Sequence, residues 1–449
     1  MATSSARRLL GIGTVLAPAV AASITLASVF TRSIGVPKAN TLWAEDGQVF
    51  LTCLSRGDTP WWCVVEVHGG YLHVVPRIAA NLAWLAPPDL WAMSIAAVAA
   101  VILAVTAWLV GAAIVDATGS VLAAVAGGAA LALVFQAGRE VGGNLANVHW
   151  ILFSGAVVLI ALTLLGRELS RRDLVFIALT GLSSPLAPVL AVLAGLGWLA
   201  RRPVRAGVVS ATVGASIVQV GAFLRFPRNP PLYEPLGLTE VLGAYGDRIL
   251  AAGPFGALPW PAGPAVAAAT LAVGVALAVA WVGARTAVDA TSVRRRAGGA
   301  LAAMTVMLGS GFAAYAASLV ANLSLAPRYE YVPSVLMVEA LVLGAALVTA
   351  RSRTDAPAAA PGHSRLARSG PVAIVIAILA VGAVASYRVE ARTSGGPAYD
   401  GEFDTATSAC AAGAASVHVR TGPRAPDRVW TVEVPCDRLA TVWLRSPDR

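Results

Sequence analysis

Two adjacent carboxylates follow the first apolar segment of the chain, in a stretch that reads NTLWAEDGQVF from Asn40 to Phe50. Glu45 and Asp46 are followed there by a glycine. A carboxylate can remove a proton from a hydroxyl group or help to hold a divalent cation. Acidic side chains also suit the first turn of a helix, so the pair is equally consistent with a helix start at a membrane edge.

Other side chains that can bind a substrate lie in short polar segments. His68 and His73 are five residues apart in a glycine-containing stretch, which is not the i, i+4 spacing of a helical zinc pair. A structural or substrate-binding role is therefore favoured, and no metal ligands are predicted. Arg77 and His149 suit phosphate contact and interfacial anchoring alike. Arg139 and Glu140 are interpreted as a local surface ion pair of little energetic value.

The composition identifies the class of protein. Of 449 residues, 57% are hydrophobic and only 13% charged, with a mean hydropathy of +0.72. Apolar segments of about 18 residues or more are long enough to cross a bilayer. The net charge of +9 comes from arginines in short loops between apolar segments, a pattern that indicates membrane orientation and not binding to nucleic acid. The sequence predicts an all-α multi-pass membrane protein.

Nine apolar segments are predicted to cross the membrane: 9–30, 89–115, 119–136, 149–166, 205–224, 264–284, 298–320, 332–350 and 371–387. The first is longer than the apolar core of a signal peptide and is interpreted as a retained span. A tenth segment, 173–200, is interrupted by SSPLAP from Ser183 to Pro188. Proline removes a helix donor, so this segment is predicted to be a re-entrant hairpin of two half-helices.

The distribution of basic residues supports this threading. With the N-terminus in the cytoplasm, the inner segments carry 16 basic residues in 62 positions and the outer loops carry 9 in 119. All four cysteines then lie outside, where oxidising conditions suggest the pairs Cys53–Cys63 and Cys410–Cys436. Residues 1–387 form the predicted transmembrane domain with its first outer loop at 31–88. Residues 388–449 alternate apolar and polar positions and are predicted to form a small extracytoplasmic β module.

Polar residues concentrate in the outer loops and are scarce within the spans. A coupled transporter usually needs ionisable or unwound elements near the bilayer midplane, whereas an enzyme acting on a lipid-linked substrate needs them at the interface. Carboxylates can activate a hydroxyl, arginines and histidines can hold phosphate, and aromatic side chains can stack on sugars. The distribution therefore favours an enzyme that acts at the outer face of the membrane.

Five short motifs occur in this topological order: WAEDGQVF, GGYLHVVPR (Gly69 to Arg77), NVHW (Asn147 to Trp150), LSSPLA (Leu182 to Ala187) and PRYEYVPS (Pro327 to Ser334). Together they resemble bacterial integral-membrane glycosyltransferases of the GT-C superfamily, in particular a group with a Glu-Asp-Gly motif in its first outer loop. The resemblance covers roughly residues 10–350. Glu45 and Asp46 are adjacent and do not form a spaced Asp-x-Asp motif, which weakens the case that they bind a metal ion.

The resemblance implies an inverting transfer of a sugar from a polyprenyl-phosphate donor to a glycan, lipid or protein acceptor outside the bacterial plasma membrane, with the C-terminus extracytoplasmic. It implies Asp46 as the first choice of general base and Glu45 as the second, with a divalent cation possible. The implied substrate-binding residues are His68, Tyr71, His73, Arg77, His149, Arg328 and Tyr329. Two alternatives remain open, a lipid or polysaccharide transporter gated by the hairpin and a non-catalytic protein of envelope assembly.

Overall fold

A computed structural model describes residues 4–57, 59–200, 202–227, 237–251, 291–322, 326–354, 387–425 and 428–443, with single positions between 373 and 384. The protein is mostly helical with a small sheet near the C-terminus. The long helices are α1 (Ser4–Thr31), α5 (Trp91–Thr118), α7 (Val148–Leu162), α10 (Ala206–Arg225), α12 (Thr291–Asn322) and α13 (Pro327–Thr354). The short helices are α2 (Thr52–Ser55), α3 (Pro60–Val65), α4 (Val74–Trp84), α6 (Val121–Leu133), α8 (Arg171–Gly181), α9 (Ala187–Leu199), α11 (Leu238–Tyr245), α14 (Tyr399–Ala411) and α15 (Cys436–Trp443).

Six helices of the described residues are long and apolar enough to cross a membrane: Gly13–Thr31, Pro88–Thr118, Val148–Leu165, Ala206–Arg225, Gly298–Leu319 and Arg328–Leu347. They coincide with six of the nine expected spans, so a multi-pass arrangement is supported but the count of nine is not confirmed. The expected span 264–284 lies outside the described residues, as does most of 371–387.

The expected span 119–136 is a helix of only 13 residues, α6. Side chains from other parts of the chain bind its last carbonyl groups. Arg32 donates to the carbonyl oxygens of Ala132 and Val134, and the Tyr331 hydroxyl donates to that of Leu131 at 2.7 Å. These side chains satisfy carbonyl groups that have no partner within the helix.

The segment broken by SSPLAP forms two half-helices, α8 and α9, joined by the turn 182–186. Glu168, which precedes α8, lies 3.6 Å from Arg205, which follows α9, so the two ends of this segment are close together. At a rise of 1.5 Å per residue the two half-helices extend only about 16–20 Å, which is less than the thickness of a hydrocarbon core. This is the geometry expected of a hairpin that enters and leaves the bundle at one end.

The C-terminal residues pack directly on the first loop. Strand β1 (Ser33–Ile34) pairs in parallel with β2 (Val389–Glu390), and β3 (Ser416–Ala425) pairs antiparallel with β4 (Arg428–Pro435). Buried residues of the two regions share one hydrophobic core, which includes Leu42, Phe50, Val419 and Val432. The first loop and the C-terminal module therefore lie on the same side of the bundle.

Both expected disulfides are present in the structure, Cys53–Cys63 in the first loop and Cys410–Cys436 in the C-terminal module. No described cysteine is free. Because the first loop and the module pack on each other, the two disulfides occupy the same side of the bundle, as the threading of the sequence requires.

Candidate functional site

A cavity of about 370 Å³ lies where the first loop meets the bundle. Four other parts of the chain complete its walls: the segment before α7, the turn of the α8–α9 hairpin, α10 and the facing ends of α12 and α13. Of the residues expected to form the site, seven line this cavity: Glu45, His68, Tyr71, His73, His149, Arg328 and Tyr329. Asp46 and Arg77 are not among the lining residues.

Glu45 lies directly before a short π-helical segment, Asp46–Leu51, and its side chain lines the cavity. Its Oε2 atom is buried and has no hydrogen-bond partner among the described residues. Glu45 as a whole is half-buried, and a carboxylate at a cavity wall can accept a hydrogen bond from a bound hydroxyl group. Glu45 thus has the placement that a general base requires.

Asp46 is fully buried and binds the backbone of another loop. Its two oxygens accept hydrogen bonds from the N–H groups of Leu145, at 3.0 Å, and Ala146, at 2.7 Å. Those residues directly precede α7, so Asp46 fixes the segment that presents His149 to the cavity. Burial raises the pKa of Asp46 to about 8, although the two backbone donors lower it.

Gly47 contacts the C-terminal module. A Cβ atom on this residue would lie 2.8 Å from Cγ2 of Thr421 and 3.2 Å from Cβ of Val432. The three residues of the Glu-Asp-Gly motif therefore contact three different parts of the protein. The glutamate lines the cavity, the aspartate binds the segment before α7, and the glycine lets the module approach.

Replacing Gly47 with leucine is expected to push the module away. The free energy of unfolding should fall by about 1–3 kcal/mol, the usual cost of inserting a larger side chain into a well-packed protein core. Thermal unfolding of the purified protein in detergent measures this change. Gly401→Leu is the matched control, because no atom lies within 4 Å of a Cβ at Gly401 in helix α14 of the same module. Equal melting temperatures of the two variants would contradict the prediction.

A cluster of imidazole and phenol rings forms one wall of the cavity. Gly69 and Gly70 have φ values of +61° and +83°, and the turn they make lets His68 and Tyr71 pair through their backbones. The ring centroids of Tyr71 and His73 are 4.0 Å apart, and those of His73 and His149 are 5.9 Å apart. Burial and the neighbouring His149 hold the pKa of His73 well below its usual range. His73 is therefore neutral at physiological pH.

Within the described residues, no three His, Cys, Asp or Glu side chains are grouped so that they could hold a metal ion. The rings of this wall provide stacking surfaces and hydrogen-bonding atoms for a polar substrate. The divalent cation implied by the resemblance stays a prediction.

Arg328 lines the cavity next to Tyr329, whose ring contacts Trp150, and it is held in place by Glu140. Its Nη1 atom lies 2.5 Å from Oε1 of Glu140, and its Nη2 donates to the Tyr329 hydroxyl at 3.2 Å. Arg392 of the C-terminal module donates to the same carboxylate oxygen at 3.0 Å. Glu140 is buried and paired with these two arginines, so the expected local pair with Arg139 is not what the structure records.

Arg77 lies behind the cavity wall. It is buried, forms an ion pair of 2.9 Å with Glu66, and lies over the ring of Phe50 at 5.2 Å from the centroid. Burial lowers the pKa of Arg77, and the Glu66 carboxylate opposes that shift. Arg77 therefore supports the wall that carries His73 and does not reach the cavity itself.

Gln219 joins three parts of the site, a role that the sequence analysis did not predict. Its side-chain oxygen accepts from the N–H of Leu72 at 2.9 Å, and its amide group donates to the carbonyl oxygens of Leu72 and Gly181. A glutamine within a candidate membrane span is the signal that could have identified it. It ties the first loop and the hairpin to α10.

The remaining wall of the cavity is apolar. It comprises Pro185, Leu186 and Pro188 of the hairpin together with Val220 and Phe223 of α10. Val220 and Phe223 are half-exposed, so this wall reaches the apolar outer surface of α10. A single cavity thus has both polar and apolar lining residues.

Comparisons with known proteins identify no relative of this chain. No protein-family model matches the sequence, and no curated protein or solved structure is significantly similar to it. The case for a function therefore depends on the residues of the cavity.

Proposed function

We propose that the protein is a membrane glycosyltransferase that moves a sugar from a polyprenyl-phosphate donor to an extracytoplasmic acceptor. The observation that carries the proposal is that Glu45 and Arg328 line one cavity whose remaining wall is apolar. A carboxylate suits the acceptor hydroxyl, a guanidinium suits the phosphate, and an apolar wall suits the polyprenyl chain. The order of motifs that resembles GT-C enzymes supports the same function.

In the proposed reaction, Glu45 acts as the general base. The acceptor hydroxyl gives its proton to the Glu45 carboxylate while its oxygen bonds to the anomeric carbon. The bond between that carbon and the phosphate oxygen breaks, and its electron pair leaves with the polyprenyl phosphate. Attack opposite the leaving phosphate inverts the anomeric centre.

Arg328 stabilises the phosphate on which negative charge develops. Glu140 and the Tyr329 hydroxyl fix the plane of its guanidinium group, so little rearrangement is needed when the donor binds. Two arginines share the single Glu140 carboxylate, and Glu45 is a second negative charge that acts on Arg328. The attraction for an anionic donor is therefore local to the Arg328 guanidinium group.

The expected arrangement in the bacterial plasma membrane, with both the cavity and the C-terminus outside, belongs to this proposal. The pairing of β1 with β2 supports it, because this pairing joins the end of α1 to the start of the module on one side. The greater density of basic residues in the predicted inner segments supports the same orientation.

A transfer assay tests the proposed function. The purified protein is reconstituted in vesicles with radiolabelled polyprenyl-phosphate sugars and with membrane extracts as a source of acceptor, and labelled product is measured. Transfer of label that depends on the protein is the expected result. Movement of intact donor lipid across the vesicle membrane without transfer would instead support a transporter. That alternative is favoured by one observation, that the turn of the α8–α9 hairpin lines the cavity.

Replacing Arg392 with glutamine is expected to raise the KM for the donor severalfold, because Glu140 then interacts more strongly with Arg328 and competes with the donor phosphate for its guanidinium group. Arg392 acts as a positioning residue, because it helps Glu140 to hold Arg328 and is not among the residues that line the cavity. Arg388→Gln is the control, since Arg388 donates to the Thr31 carbonyl oxygen. Arg392→Lys is expected to restore part of the change in donor KM. The KM for the acceptor is expected to stay unchanged. A donor KM equal to that of the control variant would exclude this role.

A further inference from the structure

The first loop carries an exposed apolar surface whose function the cavity does not explain. Between residues 60 and 85 every strongly exposed residue is apolar: Pro60, Trp61, Trp62, Val65, Ile78, Leu82 and Leu85. Trp61 is 83% exposed and Trp62 is 63% exposed. Tryptophan is rarely presented to water in this way, and a cluster of exposed apolar side chains marks a surface that binds something. We call this surface the loop face.

Helix α4 is apolar on two sides. One side packs into the protein through Ala79, Ala80 and Ala83. Ile78, Leu82 and Leu85 follow the i, i+4, i+7 spacing of a second helix face, and all three are exposed. An outer-loop helix surrounded by water would be expected to carry polar residues on that face.

The loop face is continuous with the surface of a candidate membrane span. Beyond Leu85 the chain enters Pro88–Thr118, in which Leu90, Met93, Val101 and Val105 are exposed apolar residues. The exposed Arg56 lies just before α3, where its guanidinium suits lipid phosphate. Tryptophan side chains prefer the interface between hydrocarbon and head groups.

The Cys53–Cys63 disulfide holds this surface in place. Cys53, Leu54 and Cys63 form a small buried cluster against Trp84 of α4, and the Asn81 side chain donates to the Pro60 carbonyl oxygen at 3.0 Å. Helices α3 and α4 are thus fixed to each other, and their exposed residues are presented together.

We propose that the loop face lies in the outer leaflet of the membrane, with Trp61 and Trp62 in the interfacial layer and α4 along the lipid surface. The occupant is phospholipid, because the exposed apolar residues of α4 lead along the chain into the exposed apolar residues of a candidate membrane span. The proposal is independent of the reaction assigned to the cavity. It gives the loop a second function, which is to set the depth of the site relative to the lipid head groups.

Depth measurements with spin labels test the proposal. Leu82→Cys and Trp61→Cys each provide one new thiol for a nitroxide, because no described cysteine of the native chain is free. Val429→Cys is the matched control, since Val429 is 69% exposed and lies on β4 of the module. In phosphatidylcholine vesicles, labels at 61 and 82 are expected to collide severalfold more often with oxygen than with a water-soluble nickel chelate. The label at 429 is expected to show the reverse.

A nickel accessibility at 61 and 82 equal to that at 429 would overturn the proposal. Protection from both oxygen and nickel would also overturn it, because it would place a protein on the loop face. A second measurement needs no variant. The unsubstituted protein is photolabelled in vesicles that contain a lipid with a carbene precursor in its acyl chain. Labelled peptides from 60–85 are expected, and labelling confined to the long helices would contradict the proposal.

Discussion

Replacing Glu45 with glutamine is expected to reduce sugar transfer about 10²- to 10⁴-fold, the usual contribution of a general base. Glutamine keeps the shape of the side chain and removes its ability to accept a proton. Because Oε2 of Glu45 has no hydrogen-bond partner among the described residues, the substitution breaks no described hydrogen bond of that atom. The fold is therefore expected to be retained, and the loss should appear in kcat.

The matched control for Glu45→Gln is Glu168→Gln. Glu168 is an exposed glutamate that precedes α8 and pairs with Arg205, which follows α9. Exposed ion pairs contribute little to stability, so this variant should behave as the native protein does. Melting temperatures of both variants are measured alongside transfer rates. A Glu45→Gln rate equal to that of Glu168→Gln would remove Glu45 from the proposed reaction.

Replacing Asp46 with alanine is expected to destabilise the protein. It leaves the buried N–H groups of Leu145 and Ala146 without their acceptor, at a cost of about 1–3 kcal/mol for each unsatisfied group. Asp46→Asn should lie between the native protein and the alanine variant, because an amide offers one acceptor oxygen in place of two. Denaturant unfolding in detergent measures the series.

The effect of Asp46→Ala is expected to depend on pH. The folded protein has a pKa of about 8 at Asp46, above the ordinary value of 3.8, because the side chain is buried. Between these values the folded state binds a proton that the unfolded state releases, so the contribution of Asp46 to stability falls as the pH rises. The difference between native and Asp46→Ala proteins should therefore shrink from pH 5 to pH 8.

The alanine variant also separates two roles for Asp46. The resemblance to GT-C enzymes implies Asp46 as the general base, whereas its contacts favour a role in holding the segment before α7. An alanine variant with native stability and no transfer would support the first role. Lower stability, together with a loss of transfer that can be attributed to movement of His149, would support the second role.

The side chains of Glu45 and Asp46 illustrate why sequence alone could not complete the site. Both residues are predicted outside the membrane by the lengths of the apolar segments and the distribution of arginines. Their side chains point in different directions because neighbouring residues of a helical turn differ by about 100° around its axis. Only the position of Leu145 and Ala146, about a hundred residues further along the chain, decides which carboxylate is bound to backbone.

The ion pairs of Glu140 also could not be predicted from the sequence. Its sequence neighbour Arg139 suggested a local pair, yet its partners Arg328 and Arg392 are 188 and 252 residues away. The contacts of Gln219 were not predicted because its partners, Leu72 and Gly181, lie on other segments of the chain. These contacts are formed by packing between distant segments, which composition and periodicity do not encode.

The sequence by itself indicated a helical multi-pass membrane protein and predicted which of its loops share one side. Hydrophobic length and charge distribution act over short stretches of chain, so these properties can be read directly. The tertiary structure decided that Glu45 and not Asp46 faces the cavity, that Arg77 lies behind its wall, and that the module holds Arg328 through Glu140. Those outcomes depend on the direction of individual side chains, which is fixed only when distant segments pack together.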